Sequence, residues 1–330
     1  MSIVIIKPGL HATLQDAGRW GFQSQGVPVS GAMDEEALVT ANLLVNNNRS
    51  ECCLEFSSGV VELKFTQDII FALSGRGMKA SIKSSIVEFN RPMKVEPDSI
   101  LKLQPKSNGN WTYLSVYGGF DIPKVLNSRS TYLPSSFGGL NGRRLKAADV
   151  IAINQMSDLN DSWKFRKQLS KPVAFTNWGA ITPLIQQESI RIFSGNEWGW
   201  LSDSGKELVQ KASFTISQDS NRMGYRLIGA RPERTDNQEL VSDAVAKGTI
   251  QLTNEGNLIV LMADGQTVGG YPRIAQVVAV DLPKLAQKRS GEEVRFNLIS
   301  FEEAEQLFLD RERERNKLEA GIRLKKLYEY

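Results

Sequence analysis

Two apolar runs on either side of a glycine-rich polar loop most constrain how this chain can fold. Residues 258–263 (LIVLMA) and 274–280 (IAQVVAV) carry no charge. Apolar runs this short suit buried β-strands better than helices. The residues between them supply a carboxylate, an amide, hydroxyl groups and three glycines: Asp264, Gly265, Gln266, Thr267, Gly269, Gly270, Tyr271 and Pro272. The pattern therefore predicts two core strands joined by a polar loop.

That loop admits two interpretations. Glycines let a backbone turn tightly and present its N–H groups to a ligand, with Asp264 and Gln266 close by. Alternatively, the loop is a long hairpin connection in which Asp264 and Thr267 satisfy only their own backbone. Residue types alone leave both interpretations open.

Short strand patterns separated by turns also fill the first half of the chain. They cover residues 2–6, 54–56, 60–65, 69–73, 81–89, 100–103, 111–117 and 150–153. Residues 35–45 instead have a helical pattern that Ser30 or Asp34 could cap, and residues 301–330 carry apolar stripes at helical spacing. We therefore expect a mainly β chain with a few short helices and a C-terminal helix.

Two short matches in the same order suggest a duplicated unit. The segment that begins at Ser189 (SIRIFSG) is similar to the one at Ser2 (SIVIIKPG), and Asp281 (DLPKL) is similar to Asp121 (DIPKV). A chain of 330 residues has room for two domains. We expect β-barrel domains at residues 1–157 and 188–300, a linker at 158–187, and a helical tail at 301–330.

Charge and cysteine content argue against several classes of function. The 40 Lys and Arg nearly balance 37 Asp and Glu, so no nucleic-acid partner is expected. Cys52 and Cys53 are adjacent, which precludes a disulfide framework and favours a reducing cytoplasm. The first residues reach Lys7 and Pro8 too soon for a signal peptide, and no apolar run has membrane-spanning length. No metal is expected, because no cluster has metal-ligand spacing.

Several polar segments outside the central loop could bind an anion. Ser30 precedes the predicted helix, whose N–H groups could hold a carboxylate or phosphate, although capping alone is the alternative. Arg129 lies in a polar segment ahead of Arg143 and Arg144, and a guanidinium suits the same anions. The turn at residues 74–77 (SGRG) lacks the strand-then-helix context of a phosphate loop and predicts a simple turn.

Seven motifs occur in order along the chain: LQDAGRWGF (14–22), GVPVSGAMD (26–34), YGGFDIPKVLNSRST (117–131), FGGLNGRRLKAADV (137–150), SNRMGYRL (220–227), ADGQTVGGYPRIAQVV (263–278) and DLPKLAQ (281–287). They resemble the carboxyltransferase subdomain A and B family, up to about Ser300. The resemblance implies a pair of tandem cyclophilin-like β-barrel domains. Gly265 stands where many members of the family have arginine.

For function, the resemblance implies one component of an ATP-dependent 5-oxoprolinase, which converts 5-oxo-L-proline to L-glutamate. The implied partners are a carboxyltransferase subdomain C and D protein, which is the B-type subunit, and an A-type subunit, with ATP bound through the complex. Two alternatives stay open. One is carboxyl transfer to a urea-like amide, with biotin on a separate carrier. The other is a non-enzymatic regulator that binds a kinase inhibitor.

Motif position and chemistry suggest a role for each candidate residue. Opening a lactam needs donors directed at the developing negative charge, and a base. Asp264 is the expected general base, and Arg222 and Gln266 are the other expected catalytic residues. The residues expected to bind substrate are Arg129, Ser30, Thr267, Gly269, Gly270 and Tyr271.

Overall fold

The computed structural model describes residues 1–83, 85–154, 173–181, 189–235, 238 and 240–328. Over these residues the chain forms two compact units. The first contains the described residues of 1–18, 34–181 and 315–328, and the second contains those of 19–33 and 189–314. The linker expected at 158–187 lies outside the described residues except at 173–181. Residues 19–33 belong to the second unit although both of their neighbours in sequence belong to the first.

The first unit is built mainly from antiparallel strands. Its described strands are β1 (Ser2–Pro8), β2 (His11–Gln15), β3 (Cys53–Ser57), β4 (Val61–Phe65), β5 (Ile69–Gly75), β6 (Met78–Ile82), β7 (Ser85–Val87), β8 (Met93–Val95), β9 (Ile100–Pro105), β10 (Trp111–Val116), β11 (Val150–Ala152) and β12 (Val173–Phe175). One six-stranded sheet has the order β11-β1-β4-β9-β6-β7, and the other has the order β12-β8-β5-β10-β3-β2.

Alternating burial explains the core of the first unit. In β4, Val61, Leu63 and Phe65 are buried while the residues between them are partly exposed, as expected when one face of a strand meets the core. All residues of β10 are buried instead. The reason is that α1 (Glu35–Leu44) packs against β5 and β10.

Local chemistry explains where α1 begins and where one predicted strand is interrupted. The Asp34 carboxylate accepts a hydrogen bond from the Ala37 backbone N–H at 2.9 Å, so Asp34 is the N-cap. The run at residues 81–89 forms parts of two paired strands, β6 and β7, instead of one. Lys83 has a φ of 53°, a left-handed conformation that turns the chain between them.

The second unit contains a closed barrel. Its described strands are β13 (Ile190–Ser194), β14 (Ser213–Ile216), β15 (Gly224–Gly229), β16 (Asp243–Ala244), β17 (Thr249–Leu252), β18 (Leu258–Leu261), β19 (Val268–Gly269), β20 (Arg273–Val277) and β21 (Glu293–Leu298). The barrel order is β13-β20-β17-β18-β15-β14-β21, and β16 pairs with β19 as a separate ribbon. Two helices accompany these strands, α2 (Asp203–Lys211) and α3 (Leu282–Ala286).

The barrel closes through a parallel pair in which Ile190 lies opposite Phe296. Inside it, the rings of Phe214 and Phe296 lie 5.7 Å apart. Closure leaves the barrel without an unpaired edge, which otherwise invites pairing with other chains. The polar loop predicted between two core strands thus joins two barrel strands, β18 and β20.

The last helix is α4 (Phe301–Tyr328), which confirms the expected C-terminal helix. In its part within the second unit, Ala304 is buried. In its part within the first unit, Arg315 is buried and contacts Glu35 and Glu36, so the polar middle of the helix is partly buried. In the part of the chain that the structure describes, no helix has the length and apolar character needed to cross a membrane. The mainly β fold predicted from the sequence is confirmed.

Candidate functional site

Barrel geometry brings together two predicted site residues that lie 42 positions apart in sequence. Strands β15 and β18 are antiparallel, with Gly224 opposite Leu261. The backbone pairing continues past the ends of both strands, where the Asp264 N–H donates to the Arg222 carbonyl at 2.8 Å. The register of this one strand pair therefore places the Arg222 side chain beside that of Asp264.

The two side chains form a buried ion pair with two parallel hydrogen bonds. Arg222 Nε donates to Asp264 Oδ2 at 2.8 Å, and Arg222 Nη2 donates to Asp264 Oδ1 at 3.0 Å. Only 7% of the arginine side chain and 3% of the aspartate side chain are exposed. Such two-point pairing fixes the orientation of both groups as well as their distance.

Ser30 and Gly31 complete this cluster within the second unit. The Ser30 hydroxyl donates to Asp264 Oδ1 at 2.6 Å, and Arg222 Nη2 also donates to the Gly31 carbonyl at 2.6 Å. Ser30 has a φ of 59°, a left-handed conformation that is costly for a residue other than glycine. The ion pair and the Ser30 hydroxyl thus hold Ser30 in an unfavourable backbone conformation. We call Ser30, Gly31, Arg222 and Asp264 the anchor cluster.

Lys247 also holds the segment 19–33 in the second unit, and the sequence did not predict this contact. Its Nζ donates to the Ala32 carbonyl at 2.8 Å and to the Met33 carbonyl at 3.0 Å. A single lysine ahead of a strand carries no motif signal, because its partners are backbone atoms more than 200 residues away in sequence.

Hydrogen bonds within the anchor cluster occupy both oxygens of the Asp264 carboxylate. Oδ1 accepts from Ser30 and from Arg222, and Oδ2 accepts from Arg222. A carboxylate whose oxygens are already held by donors is well suited to positioning the loop that follows it. The general-base role expected for Asp264 stays a prediction.

The loop after Asp264 presents alternately buried and exposed groups. Thr267 and Gly269 are buried, whereas Gln266, Gly270 and Tyr271 are exposed. The pairing of β19 with β16 fixes its middle, where Gly269 lies opposite Asp243. The structure therefore brings all five residues into the same unit as the anchor cluster.

Arg273 holds the far end of this loop. Its Nε and Nη2 donate to the two carboxylate oxygens of Glu197 at 3.0 and 2.8 Å. Its Nη1 lies 2.7 Å from Asp243 Oδ2 and donates to the Ala244 carbonyl at 3.0 Å. Burial raises the pKa of Glu197, but the hydrogen bonds from Arg273 outweigh it and the net pKa is lowered. Arg273 therefore ties the β16–β19 ribbon to the barrel.

A cleft of about 620 Å³ opens on one side of the loop. Gly270, Tyr271 and Pro272 line it, together with Glu233 and Arg234. The anchor cluster does not line this cleft. A small polar molecule in the cleft would meet the exposed half of the loop.

Arg129, the remaining predicted substrate-binding residue, lies in the first unit. Its Nε donates to the Ile122 carbonyl at 2.8 Å, its Nη1 donates to Glu51 Oε1 at 3.0 Å, and its backbone N–H donates to Asp16 Oδ2 at 2.6 Å. These contacts fold the polar segment around Arg129. The expected contact of Arg129 with substrate stays a prediction.

Two segments considered for anion binding have other roles in the structure. Glu35 and Glu36 make the first turn of α1 acidic, and the Asp34 side chain already occupies a backbone N–H there. The turn at residues 74–77 links β5 to β6, so no helix follows it. Neither segment fits the phosphates of ATP. Among the described residues, no group of three or more His, Cys, Asp or Glu side chains could hold a metal ion.

Comparison with known proteins places these features in a family. The sequence profile of the carboxyltransferase domain, subdomain A and B, matches residues 25–298. The chain is 36% identical to the C subunit of 5-oxoprolinase from Escherichia coli (strain K12), over 94% of this chain and 95% of that protein. It is 34% identical to the C subunit of 5-oxoprolinase from Haemophilus influenzae, over 90% of this chain and 91% of that protein.

A solved structure agrees with the sequence comparisons. The urea carboxylase of Kluyveromyces lactis is similar with a TM-score of 0.86 and 28% identity. The match covers 97% of this chain but only 29% of the urea carboxylase chain. Sequence and structure therefore agree that this chain belongs to the family of carboxyltransferase domains, subdomain A and B.

Proposed function

We propose that the chain is the C subunit of an ATP-dependent 5-oxoprolinase, which converts 5-oxo-L-proline to L-glutamate with partner proteins. The observation that carries this proposal is the match to two 5-oxoprolinase C subunits over nearly the whole length of both chains. The name of those relatives implies a complex of several subunits. The loop at residues 264–273 supports the proposal, because its side-chain amide and backbone N–H groups could donate hydrogen bonds to the carbonyl oxygen of a lactam.

Within this function, the anchor cluster has a positioning role. Arg222 and Asp264 hold the start of the loop, and Ser30 ties the segment 19–33 to the same carboxylate. The exposed Gln266, Gly270 and Tyr271 are then available to contact substrate, with Thr267 and Gly269 setting the loop shape. This assignment makes Asp264 essential for activity through geometry, whether or not it also accepts a proton.

The partners are proposed to be a carboxyltransferase subdomain C and D protein, as the B-type subunit, and an A-type subunit. ATP is assigned to the assembled complex, because the described residues considered for phosphate binding do not fit it. A cytoplasmic location is proposed because Cys52 and Cys53 are adjacent free thiols.

Carboxyl transfer to a urea-like amide is the second candidate. It is favoured by the structural similarity to urea carboxylase. That similarity covers 29% of the longer chain, whereas the match to the E. coli C subunit covers 94% of this chain and 95% of that protein. Biotin would have to be carried by a separate protein. Regulation of a kinase inhibitor is the remaining proposal.

The test is substrate-dependent turnover by the assembled complex. The full-length chain, co-expressed with the two proposed partners, should release glutamate from 5-oxoproline and hydrolyse ATP only when 5-oxoproline is present. Urea with carboxybiotin serves as the competing substrate pair. Release of no glutamate, together with carboxylation of urea, would replace the first proposal by the second.

A further inference from the structure

A buried amide of the second unit lies against the loop and takes no part in the contacts described above. Gln251 lies on β17 and is 1% exposed. None of the described residues offers an acceptor within hydrogen-bond distance of its Nε2. Burying an N–H donor without an acceptor destabilises a fold, so such a group in a native structure has a specific explanation, which is a bound ligand, a water molecule or a catalytic role.

The side-chain amide of Gln251 lies beside Gly269. A Cβ atom at position 269 would lie 2.5 Å from Gln251 Nε2 and 2.8 Å from Gln266 Nε2. A side chain at position 269 would therefore displace both amide groups from their positions. The Nε2 atoms of both groups therefore border the small space on one side of Gly269. An acceptor oxygen in that space would satisfy both donors at once.

The charges beside this space indicate what kind of oxygen fits it. Gln251 lies opposite Arg273 in the barrel, and Gly269 lies opposite Asp243 in the ribbon. The Arg273 guanidinium already contacts the carboxylates of Glu197 and Asp243. A carboxylate would gain little from a cation that is already paired, whereas a neutral carbonyl oxygen needs only N–H donors.

We propose that Gln251 and Gln266 form a binding subsite for the carbonyl oxygen of a neutral amide. For the identity of that amide the assignment rests on the proposed function, in which it is the lactam carbonyl of 5-oxoproline. Gln251 has no motif signal, because a glutamine within a strand pattern does not differ from any other strand residue in the sequence.

The first test measures binding directly in the full-length, ¹⁵N-labelled protein. The side-chain amide signals of Gln251 should shift on addition of 2-pyrrolidinone, a lactam without a carboxylate. They should not shift with cyclopentanecarboxylate, a carboxylate without a lactam. No shift with the lactam, or a shift with the carboxylate alone, overturns the subsite.

The second test uses matched variants. Gln251→Met should weaken 2-pyrrolidinone binding about tenfold, as expected for loss of one hydrogen bond. Gly269→Ala should abolish that binding, because its Cβ would displace both amides. Gln276→Met is the control, since Gln276 Nε2 donates to the Lys247 carbonyl and its Oε1 accepts from Thr249, so lactam affinity should not change. Equal affinity in the parent and in folded Gln251→Met contradicts the subsite.

The outcomes separate the subsite from the proposed function. Turnover of 5-oxoproline that Gln251→Met leaves unchanged overturns the subsite alone. Lactam binding through Gln251 in a complex that releases no glutamate supports the subsite and overturns the proposed function. Should Gln251→Met fail to fold, the amide shifts of the parent protein and the binding measured with Gly269→Ala still decide the matter.

Discussion

At the scale of single residues, the anchor cluster combines stability with positioning. Arg222 and Asp264 are both buried, and each would leave an uncompensated charge if its partner were lost. Ser30 adds a hydroxyl donor from a left-handed conformation that is itself unfavourable. The ion pair therefore has to compensate for that strain in addition to its own desolvation.

The first prediction concerns this ion pair. Arg222→Met should lower the free energy of unfolding by about 3–5 kcal/mol, because it leaves the Asp264 carboxylate buried and unpaired. Denaturant unfolding measures the change. Arg226→Met is the matched control, since Arg226 lies four residues further on and is exposed, and its effect should stay within about 0.5 kcal/mol.

A double variant tests the physical reason for that prediction. Arg222→Met combined with Asp264→Leu removes both charges, so part of the lost stability should return. An Arg222→Met protein within about 1 kcal/mol of the parent would show that the buried pair is not the anchor that its geometry indicates.

Sequence reasoning identified most members of the anchor cluster but not how they meet. Ser30, Arg222 and Asp264 were predicted as site residues from motif position. Ser30 lies 234 positions from Asp264, and no local pattern predicts a contact over that separation. Lys247 was missed because its partners are backbone atoms more than 200 residues away in sequence, and Gln251 was missed because its position beside Gly269 depends on the barrel fold.

At the scale of secondary-structure elements, the apolar runs of the sequence predicted the buried strands of the barrel. The apolar run that begins at Leu258 forms β18, and the valine-rich run overlaps β20. The two-residue strands β16 and β19 were not predicted, since they are too short to show any alternation. Arg273 stabilises this ribbon from the barrel side, so the loop depends on an ion-pair network as well as on backbone pairing.

The second prediction follows from the pKa of Glu197, which the hydrogen bonds from Arg273 lower from its usual 4.5. A carboxylate with a lowered folded-state pKa contributes stability that is present above about pH 4.5 and is lost as the pH falls through that lowered pKa. Glu197→Gln should therefore be less stable than the parent at pH 7, by roughly 1.5–3 kcal/mol. The difference should shrink at acidic pH, where Glu197 of the parent is protonated.

Denaturant unfolding at a series of pH values checks this prediction. Glu207→Gln is the control, because Glu207 also has a lowered pKa from its hydrogen bond with Lys211 but is fully exposed. Its substitution should change stability much less at every pH. A difference between Glu197→Gln and the parent that stays constant from pH 7 to pH 3 would contradict the assignment.

At the scale of the whole molecule, the mainly β fold could be predicted, because alternating burial and short turns leave a clear pattern. Membership of residues 19–33 in the second unit could not, since these residues are held by side chains far away in sequence. The same separation explains why the residues of one loop could be predicted to lie together, whereas the contacts that hold the start of that loop could not be predicted.

The last prediction is that the chain functions as part of a heteromeric complex. Its relatives over nearly the full length are named as C subunits, which implies other subunits. Co-expression with the carboxyltransferase subdomain C and D protein should yield one complex whose mass, measured by light scattering after size-exclusion chromatography, exceeds that of either chain.

The same complex tests the positioning role of Arg222, with Arg226→Met as the control variant that should assemble like the parent protein. Arg222→Met should lose glutamate release even at temperatures where it remains folded and assembled, because the loop start is no longer held. A chain that elutes at its own mass with the partner present would contradict the complex, and full turnover by assembled Arg222→Met would contradict the positioning role.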